Sequence, residues 1–206
     1  MKKMNRLFKK LPPKRQLTSL AAIVDDWVYR FGAEGPEKHR RDTVVEYCAS
    51  AHSFVQAVER ACNSRAANGK MHNHQSRVTQ GSRNHFCNAI LAMWGVGQHK
   101  AFKTFDQLHD EIERIGGVIS GIGPVTIYDV ATRIAAYLGL EITSLYLHAG
   151  VRQGWDILHG ERTDRRIKRI PKARLPVELQ RLPADECEDM LCAYREQLRP
   201  WCKPKG

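Results

Sequence analysis

Apolar residues recur every three or four positions along most of the chain, which is the spacing of one buried helical face. The first apolar stripe covers 17–28 and ends at Gly32. Further stripes predict helices over roughly 38–64, 86–94, 105–115, 124–139, 144–158 and 184–199, with a charged linker over 161–174. The pattern does not favour strands, because no stretch alternates apolar and polar residues between turn residues. We therefore predict an all-α fold of about seven helices.

The segment between the fourth and fifth stripes carries a turn rich in glycine. Its sequence is ISGIGPVT, residues 119–126. Gly121 and Gly123 allow a tight turn and the close approach of another chain, and Pro124 suits the first position of a helix because it lacks an N–H. The amide groups that begin this helix have no helical partners, and such amides bind phosphate. The predicted phosphate contacts are Gly121, Ile122, Gly123, Val125 and Thr126.

The chain is strongly basic, with 33 Lys and Arg against 22 Asp and Glu among 206 residues, a net charge of +11. This excess favours a polyanionic partner, with nucleic acid ahead of acidic lipid. Seven basic residues and no acidic residue lie in residues 1–15, which are predicted to form a basic N-terminal arm or an inert tail. Residues 16–206 have a suitable length for a single helical domain of two lobes.

Several classes of protein are not supported by the sequence. It contains no run of 18 apolar residues, so no membrane span is predicted. The N-terminus lacks the apolar stretch of a secretory signal, and six cysteines are too few for a disulfide scaffold. We therefore expect reduced thiols and a cytoplasmic protein. The sequence also lacks a Walker loop and the motifs of serine hydrolases and zinc proteases.

Residues 119–126 resemble the hairpin of the helix-hairpin-helix motif, L/I-x-G-I/V-G-x-x-T. The segments NHQSRV at 73–78 and LYLHAGVR at 145–152 are similar to segments of base-excision DNA glycosylases of the helix-hairpin-helix superfamily. The resemblance covers roughly 70–158. It implies a helical bundle whose hairpin, within about 112–138, holds a backbone phosphate of double-stranded DNA. It also implies that Gln75 inserts into the duplex and that a base is flipped out and excised.

Three departures from that family shape the expected chemistry. The position of the family's aspartate holds Leu147 or His148, and Val125 stands where the bifunctional members have a lysine nucleophile. The cysteine spacing of the iron–sulfur members is also absent from the sequence. The resemblance therefore implies a monofunctional glycosylase of a divergent, uncharacterised bacterial branch, without a cofactor. The altered stretch suggests an unusual substrate, such as a bulky modified base of phage DNA, and a role in antiviral defence.

Hydrolysis of an N-glycosidic bond needs a carboxylate to stabilise the positive charge on the sugar and a group that protonates the departing base. The catalytic candidates are Asp129, His148 and Glu188. The candidates for a base pocket are Gln75, Tyr128, Tyr146, Trp155, Lys70 and His74, and Arg152 is a candidate for DNA contact. Each has a structural alternative: Asp129 suits the helix dipole, His148 and the aromatic residues suit a core, and Glu188 suits a solvated face.

Three functions stay open at this point. The first is a DNA glycosylase, the second is a non-catalytic helix-hairpin-helix DNA-binding protein, and the third is an enzyme that remodels a modified base without releasing it. For all three we expect a monomer that is associated with the nucleoid and binds double-stranded DNA. No metal site is predicted, because His72 and His74 lack a nearby Cys or Asp partner in the sequence.

Overall fold

The computed structural model of the protein describes residues 17–32, 35–36, 43–94, 97 and 101–199. The predicted basic arm, residues 1–15, lies outside the described residues. Most of the described chain is helical, as predicted. Its α-helices are α1 (Leu20–Phe31), α2 (Thr43–Ala49), α3 (Phe54–Asn63), α4 (Gln80–Trp94), α5 (Phe105–Gly116), α6 (Pro124–Leu138), α7 (Ala149–His159), α8 (Val177–Gln180) and α9 (Ala184–Ala193). Among these helices, none combines the length and apolar character needed to cross a membrane.

A small antiparallel sheet corrects the expectation of a fold without strands. It consists of β1 (Ser144–Tyr146) and β2 (Arg169–Pro171), in which Leu145 pairs with Ile170. Residues 144–146 are therefore a strand rather than the start of α7, and the expected linker over 161–174 contains β2. All three residues of β1 are buried, so the strand lacks the alternation of apolar and polar positions that identifies a half-exposed strand.

Side-chain caps set the helix boundaries that apolar spacing did not predict. The expected helix over 38–64 is divided before Ser53, whose hydroxyl accepts a hydrogen bond from the Gln56 amide at 3.2 Å and so begins α3. The side-chain amide oxygen of Gln56 accepts a hydrogen bond from the His52 amide at 2.8 Å, which stabilises the same turn. Ser19 and Thr104 cap α1 and α5. The last helix was expected to reach residue 199 but ends at Ala193.

The chain divides into two compact units. The hairpin unit is Asp42–Ile142, and it contains α2 to α6 and a 3-10 helix at Asn73–Arg77. The terminal unit combines Met1–Arg41 with Thr143–Gly206, and its described part contains α1, the sheet, a 3-10 helix at Lys172–Arg174 and α7 to α9. The expected single domain of two lobes stays a prediction.

Helix α6 lies at the centre of the hairpin unit. It packs against α2, α3 and α5, and it buries Ile127, Val130 and Ile134. Helix α5 approaches α4 closely at Gly116, where an added Cβ would lie 2.9 Å from the ring of Phe86. The helix that follows the glycine-rich turn is therefore held from several sides, which fixes the position of the turn at its N-terminus.

The terminal unit has its own apolar core. The core is formed by α1, β1, the C-terminal helices and the segments between them, with Trp27, Phe31, Leu145, Val151, Leu158, Leu179, Met190 and Leu191 among its members. Helices α7 and α9 pack at close range, because an added Cβ at Gly154 would lie 2.3 Å from the Leu191 carbonyl oxygen. This close packing fixes the middle of α7 against α9.

Candidate functional site

The glycine-rich turn between α5 and α6 has the local structure that its sequence predicts. Gly121 has a φ of +84°, a conformation that strongly favours glycine. The Ser82 hydroxyl donates a hydrogen bond to the Ser120 carbonyl at 2.9 Å, and an added Cβ at Gly121 would lie 3.0 Å from that hydroxyl. Gly123 is the N-cap of α6, and Pro124 occupies its first turn. The turn is thus held against α4 by a specific contact.

The side-chain position of Gly123, the N-cap of α6, is open. An added Cβ at Gly123 would meet no heavy atom of the described chain within 4 Å. The first helical hydrogen bond runs from the Ile127 amide to the Gly123 carbonyl at 3.0 Å, so the amides of Val125 and Thr126 precede the helical ladder. The side chains of Ile122 and Thr126 are buried. A phosphate at this end of α6 would therefore meet backbone groups.

The carboxylate of Asp129, on the second turn of α6, is the centre of a polar cluster. Its Oδ2 accepts a hydrogen bond from Gln75 Nε2 at 2.7 Å. His72 Nδ1 and Arg133 Nη2 each lie 3.8 Å from the same oxygen. The side chain of Asp129 is 13% exposed, whereas Gln75 is 0% exposed. The structure thus brings together two candidates that are 54 residues apart in the chain.

The burial of Gln75 corrects the expectation that its side chain projects into a duplex. Arg83 holds the segment around Gln75, because its guanidinium donates to the Gln75 carbonyl at 3.2 Å and to the Gln80 side-chain oxygen at 2.6 Å. Burial lowers the pKa of Arg83. Gln75 therefore positions Asp129 from inside the hairpin unit.

Arg133 supports the same carboxylate from the other side. Its side chain is 0% exposed, and its guanidinium donates to the Ser64 hydroxyl at 2.8 Å and to the Ala61 carbonyl at 3.3 Å. Asp129 is one helical turn before Arg133, so both project from the same face of α6. The carboxylate is held in place by a fixed guanidinium and a fixed amide before any ligand binds.

His148 and Glu188, the other catalytic candidates, also meet, within the terminal unit. His148 Nε2 lies 3.1 Å from Glu188 Oε2, and Glu188 Oε1 accepts a hydrogen bond from the Tyr146 amide at 2.8 Å. Glu188 is buried, so the alternative of a solvated face is wrong for this residue. The Glu188 carboxylate joins the end of β1 to His148, the N-cap of α7, and the catalytic role expected of both residues stays a prediction.

The remaining candidates have different surroundings. In the hairpin unit, Tyr128 is buried with its ring 6.0 Å from Phe105, and Lys70 is exposed in a turn. The side chain of His74 lies outside the described part of the chain. In the terminal unit, Tyr146 and Trp155 are buried, and the Trp155 ring lies at a tilted angle against a neighbouring histidine.

Arg152, the candidate for DNA contact, is engaged by the protein itself. Its guanidinium donates to the Ile167 carbonyl at 2.6 Å and to the Asp164 carbonyl at 3.2 Å. These bonds attach the charged segment after α7 to that helix. Arg152 therefore stabilises a loop in the terminal unit.

Sequence reasoning missed the residues that complete the Asp129 cluster. Arg133 is four residues after Asp129, which is a detectable ion-pair spacing, but it lies among apolar residues and was not selected. His72 was considered only as a metal ligand. Arg83 bonds to residues three to eight positions before it, but its own position gives no sequence signal that its side chain turns back to Gln75.

One group within the described residues has a spacing that could hold a metal ion. His109, Asp110 and Glu113 on α5 have potential ligand atoms within 4.8 Å of one another. Exposed acidic groups commonly have such a spacing without a metal ion. The group therefore carries no assignment.

In comparisons with known proteins, no family model, no curated protein and no solved structure matches the chain.

Proposed function

We propose that the protein binds double-stranded DNA through the turn at Gly121–Gly123 and hydrolyses the N-glycosidic bond of a flipped base, with Asp129 as the catalytic carboxylate. The observation that carries this proposal is the Gln75–Asp129 contact of 2.7 Å. It orients a partly exposed carboxylate on the same helix whose N-cap, Gly123, has an open side-chain position. One element would thus hold the DNA backbone and present the reacting group.

The proposed role of Asp129 follows from the positive charge that develops on the sugar in the transition state. As the bond between C1′ and the base nitrogen breaks, positive charge grows on the sugar, and a fixed carboxylate stabilises this charge without reorganisation. A water oxygen then bonds to C1′ and releases one of its protons to solvent, and the departing base takes up a proton. His72 is a histidine close to Asp129, with 3.8 Å between Nδ1 and Oδ2, and it is a candidate for supplying that proton.

The departures from the glycosylase pattern bear on which nucleophile is used and which base is removed. Val125 stands at the position of the lysine nucleophile in the bifunctional relatives, which favours water as the nucleophile. The altered stretch at 145–152 favours an unusual base, such as a modified base of phage DNA. On this basis the protein would act in the cytoplasm, at the nucleoid, in defence against phage.

The catalytic proposal is tested by Asp129→Asn, with Asp110→Asn as the matched control. Asp110 lies on α5 of the same unit and is 53% exposed. Both proteins would be incubated with plain, uracil-containing, alkylated and phage-modified DNA, and released bases would be identified by mass spectrometry. We expect base release by the wild type and the control, and a loss of at least about a hundredfold for Asp129→Asn, measured at a temperature where circular dichroism shows that the variant is folded. Equal release by all three proteins would contradict the proposal.

The binding proposal is tested by Gly123→Ala. The backbone of Gly123 has a φ of −110°, which alanine adopts, and the added methyl group would stand in the open space before α6. We expect the unfolding free energy to change by less than about 1 kcal/mol, because only an N-cap preference is lost. The affinity for duplex DNA should fall, because the methyl group obstructs the phosphate. An unchanged affinity in a fluorescence anisotropy titration would contradict a role of the turn.

A second candidate, a non-catalytic DNA-binding protein, is favoured by the same cluster. Asp129 is close to the buried guanidinium of Arg133, so a structural role alone accounts for its presence. DNA binding without base release from any DNA of the panel would support this candidate over the glycosylase.

A further inference from the structure

The terminal unit contains a cavity of about 500 Å³ that none of the proposed steps uses. It is formed by the end of α7, the segment that follows it, β2 and the 3-10 helix at Lys172–Arg174. The residues that matter for its chemistry are Trp155, His159, Arg162, Arg169, Ile170 and Arg174. Its volume falls within the range of small-molecule sites in proteins.

Positive charge predominates around this cavity. Arg162 and Arg174 are exposed, and within the described chain neither has a hydrogen bond or an ion pair. Two acidic residues, Glu161 and Asp164, also line the cavity. Asp164 forms a salt bridge of 2.6 Å with Arg166, whose hydrogen bonds lower the pKa of Asp164. The cavity therefore offers two guanidinium groups without an ion pair against the single carboxylate of Glu161, and guanidinium groups are strong ligands for phosphate.

Another wall of the cavity is aromatic and apolar. The rings of Trp155 and His159 are in contact at a tilt of 40°, with their centroids 4.1 Å apart, and Ile170 adds apolar surface. His159 Nε2 is buried without a hydrogen-bond partner among the described residues. Burial lowers the pKa of His159, which favours the neutral form of its ring. This wall suits a flat heterocycle with polar edges.

The cavity is built before a ligand arrives. Arg152 holds the segment after α7 through the carbonyls of Asp164 and Ile167, and Asp156 accepts a hydrogen bond from the Thr163 amide at 2.8 Å. Pairing of β2 with β1 fixes the other side. A preformed site loses less conformational entropy on binding.

From the cations, the aromatic wall and the volume together, we propose that this cavity is a nucleotide-binding site. The phosphate is bound by Arg162 and Arg174, and the base lies against the wall of His159 and Trp155. Such a nucleotide is either a free mononucleotide or one unit of a single-stranded nucleic acid. The inference is independent of the proposed glycosylase activity, because no residue of the Asp129 cluster takes part.

The test uses the full-length protein in isothermal titration calorimetry with deoxyadenosine monophosphate, deoxyadenosine and inorganic phosphate. We expect the monophosphate to bind at least about tenfold more tightly than either fragment. The double variant Arg162→Gln/Arg174→Gln should lose about tenfold in affinity for the monophosphate. Arg181→Gln is the control: Arg181 is an exposed arginine of the same unit whose partner is Asp25 at 2.7 Å, and it does not line the cavity. Its affinity should equal that of the wild type.

A second arm identifies the source of the nucleotide. A short single-stranded oligonucleotide that displaces the monophosphate, and whose binding is also weakened by the double variant, indicates a unit of nucleic acid. Failure of the oligonucleotide to compete indicates a free nucleotide. The inference is overturned if the monophosphate does not bind at about 1 mM, if phosphate binds as tightly as the monophosphate, or if the arginine variant binds like the wild type.

Discussion

One oxygen atom, Oδ2 of Asp129, faces three side chains from separate parts of the hairpin unit. Gln75 lies in the 3-10 helix at Asn73–Arg77, and His72 immediately precedes that helix. Arg133 lies one turn after Asp129 on α6. A buried amide and a buried guanidinium restrict the position of the carboxylate more tightly than solvent would. This restriction is what a transition state with developing positive charge requires, and it also makes the cluster sensitive to a single change of charge.

The substitution Gln75→Glu tests this sensitivity. It places a second carboxyl at 2.7 Å from Asp129 Oδ2, and repulsion at that distance raises the pKa of the introduced carboxyl above its value in the unfolded chain. The folded variant then binds more protons than the unfolded one, so its stability falls as the pH rises from about 4 to 8, by about 1.4 kcal/mol for each unit of raised pKa. Thermal melts across this pH range measure the effect.

The control for that experiment is Gln75→Met, which removes the hydrogen bond to Asp129 without adding charge. It should destabilise the protein by about 1–3 kcal/mol at every pH between 5 and 8. Parallel pH profiles of the two variants would mean that the side chain at position 75 does not face the Asp129 carboxylate.

The cysteine thiols differ in their surroundings, and we expect them to differ in reactivity. The thiol of Cys62 hydrogen-bonds to Cys87, which lowers the pKa of Cys87, a half-buried residue. Burial raises the pKa of Cys192 and raises that of Cys187 to about 12. Because the thiolate is the nucleophile, we expect iodoacetamide at neutral pH to modify Cys87 first among the five described cysteines.

Peptide mass spectrometry after brief alkylation of the native protein measures this order. In the variant Cys62→Ala the modification of Cys87 should slow, because the hydrogen bond to its thiolate is lost. Modification of Cys192 ahead of Cys87 in the wild type would show that exposure, rather than the neighbouring thiol, controls the reactivity.

The site could be predicted from the sequence as residue types but not as partners. Asp129 and Gln75 were selected for separate roles, and the fold joins them across 54 positions. His148 and Glu188 are both predicted to be catalytic, and the fold joins them across 40 positions in a contact that links β1 to the start of α7. Such pairings depend on how helices return to one another, and a local pattern does not contain that information.

At the scale of elements, apolar periodicity predicted the strongly amphipathic helices well. Helix α6 was expected over 124–139 and occupies Pro124–Leu138. The predictions were wrong where a helix boundary depends on a side-chain cap, or a strand on a distant partner. The Ser53 cap that divides 38–64 was a readable signal, whereas the fully buried strand β1 depends on a partner about 25 residues away.

Two glycines in α7 lead to a prediction about helix packing. An added Cβ at Gly154 would lie 2.3 Å from the Leu191 carbonyl oxygen, and one at Gly150 would lie 2.8 Å from Cys192 Sγ. A backbone atom of a packed helix cannot move away, whereas a side chain can rotate or be shortened. We therefore expect Gly154→Ala to destabilise the protein by about 3 kcal/mol or more, and Gly150→Ala by less.

Urea denaturation of the single variants and of their combinations with Cys192→Ala measures the difference. The shortened side chain should restore most of the stability lost by Gly150→Ala, and it should not rescue Gly154→Ala. Equal rescue of both would mean that α7 and α9 adjust as a pair and that their close approach is not fixed at Leu191.

At the scale of the whole molecule, positive charge is concentrated in two segments of the sequence. Residues 1–15 and residues 161–174 each contain seven Lys and Arg, out of 33 in the chain. The second segment lies within the terminal unit, where Arg162, Arg169 and Arg174 line the cavity. A protein with this distribution should bind nucleic acid with a strong dependence on salt, whatever reaction it performs.

We expect the seven basic residues of 1–15 to contribute to that salt dependence. Each cation that neutralises a phosphate of duplex DNA contributes about −0.9 to the slope of log K against log salt concentration. Replacing all seven basic residues of 1–15 by glutamine in the full-length chain should therefore reduce the steepness of the slope by several units, in anisotropy titrations between about 50 and 200 mM salt. A control chain keeps the seven basic residues and shuffles the other residues of the segment, and it should keep the wild-type slope, because phosphate contacts of this kind depend on charge rather than on sequence. If the glutamine variant also keeps that slope, residues 1–15 do not contact DNA, and the salt dependence comes from the remainder of the chain.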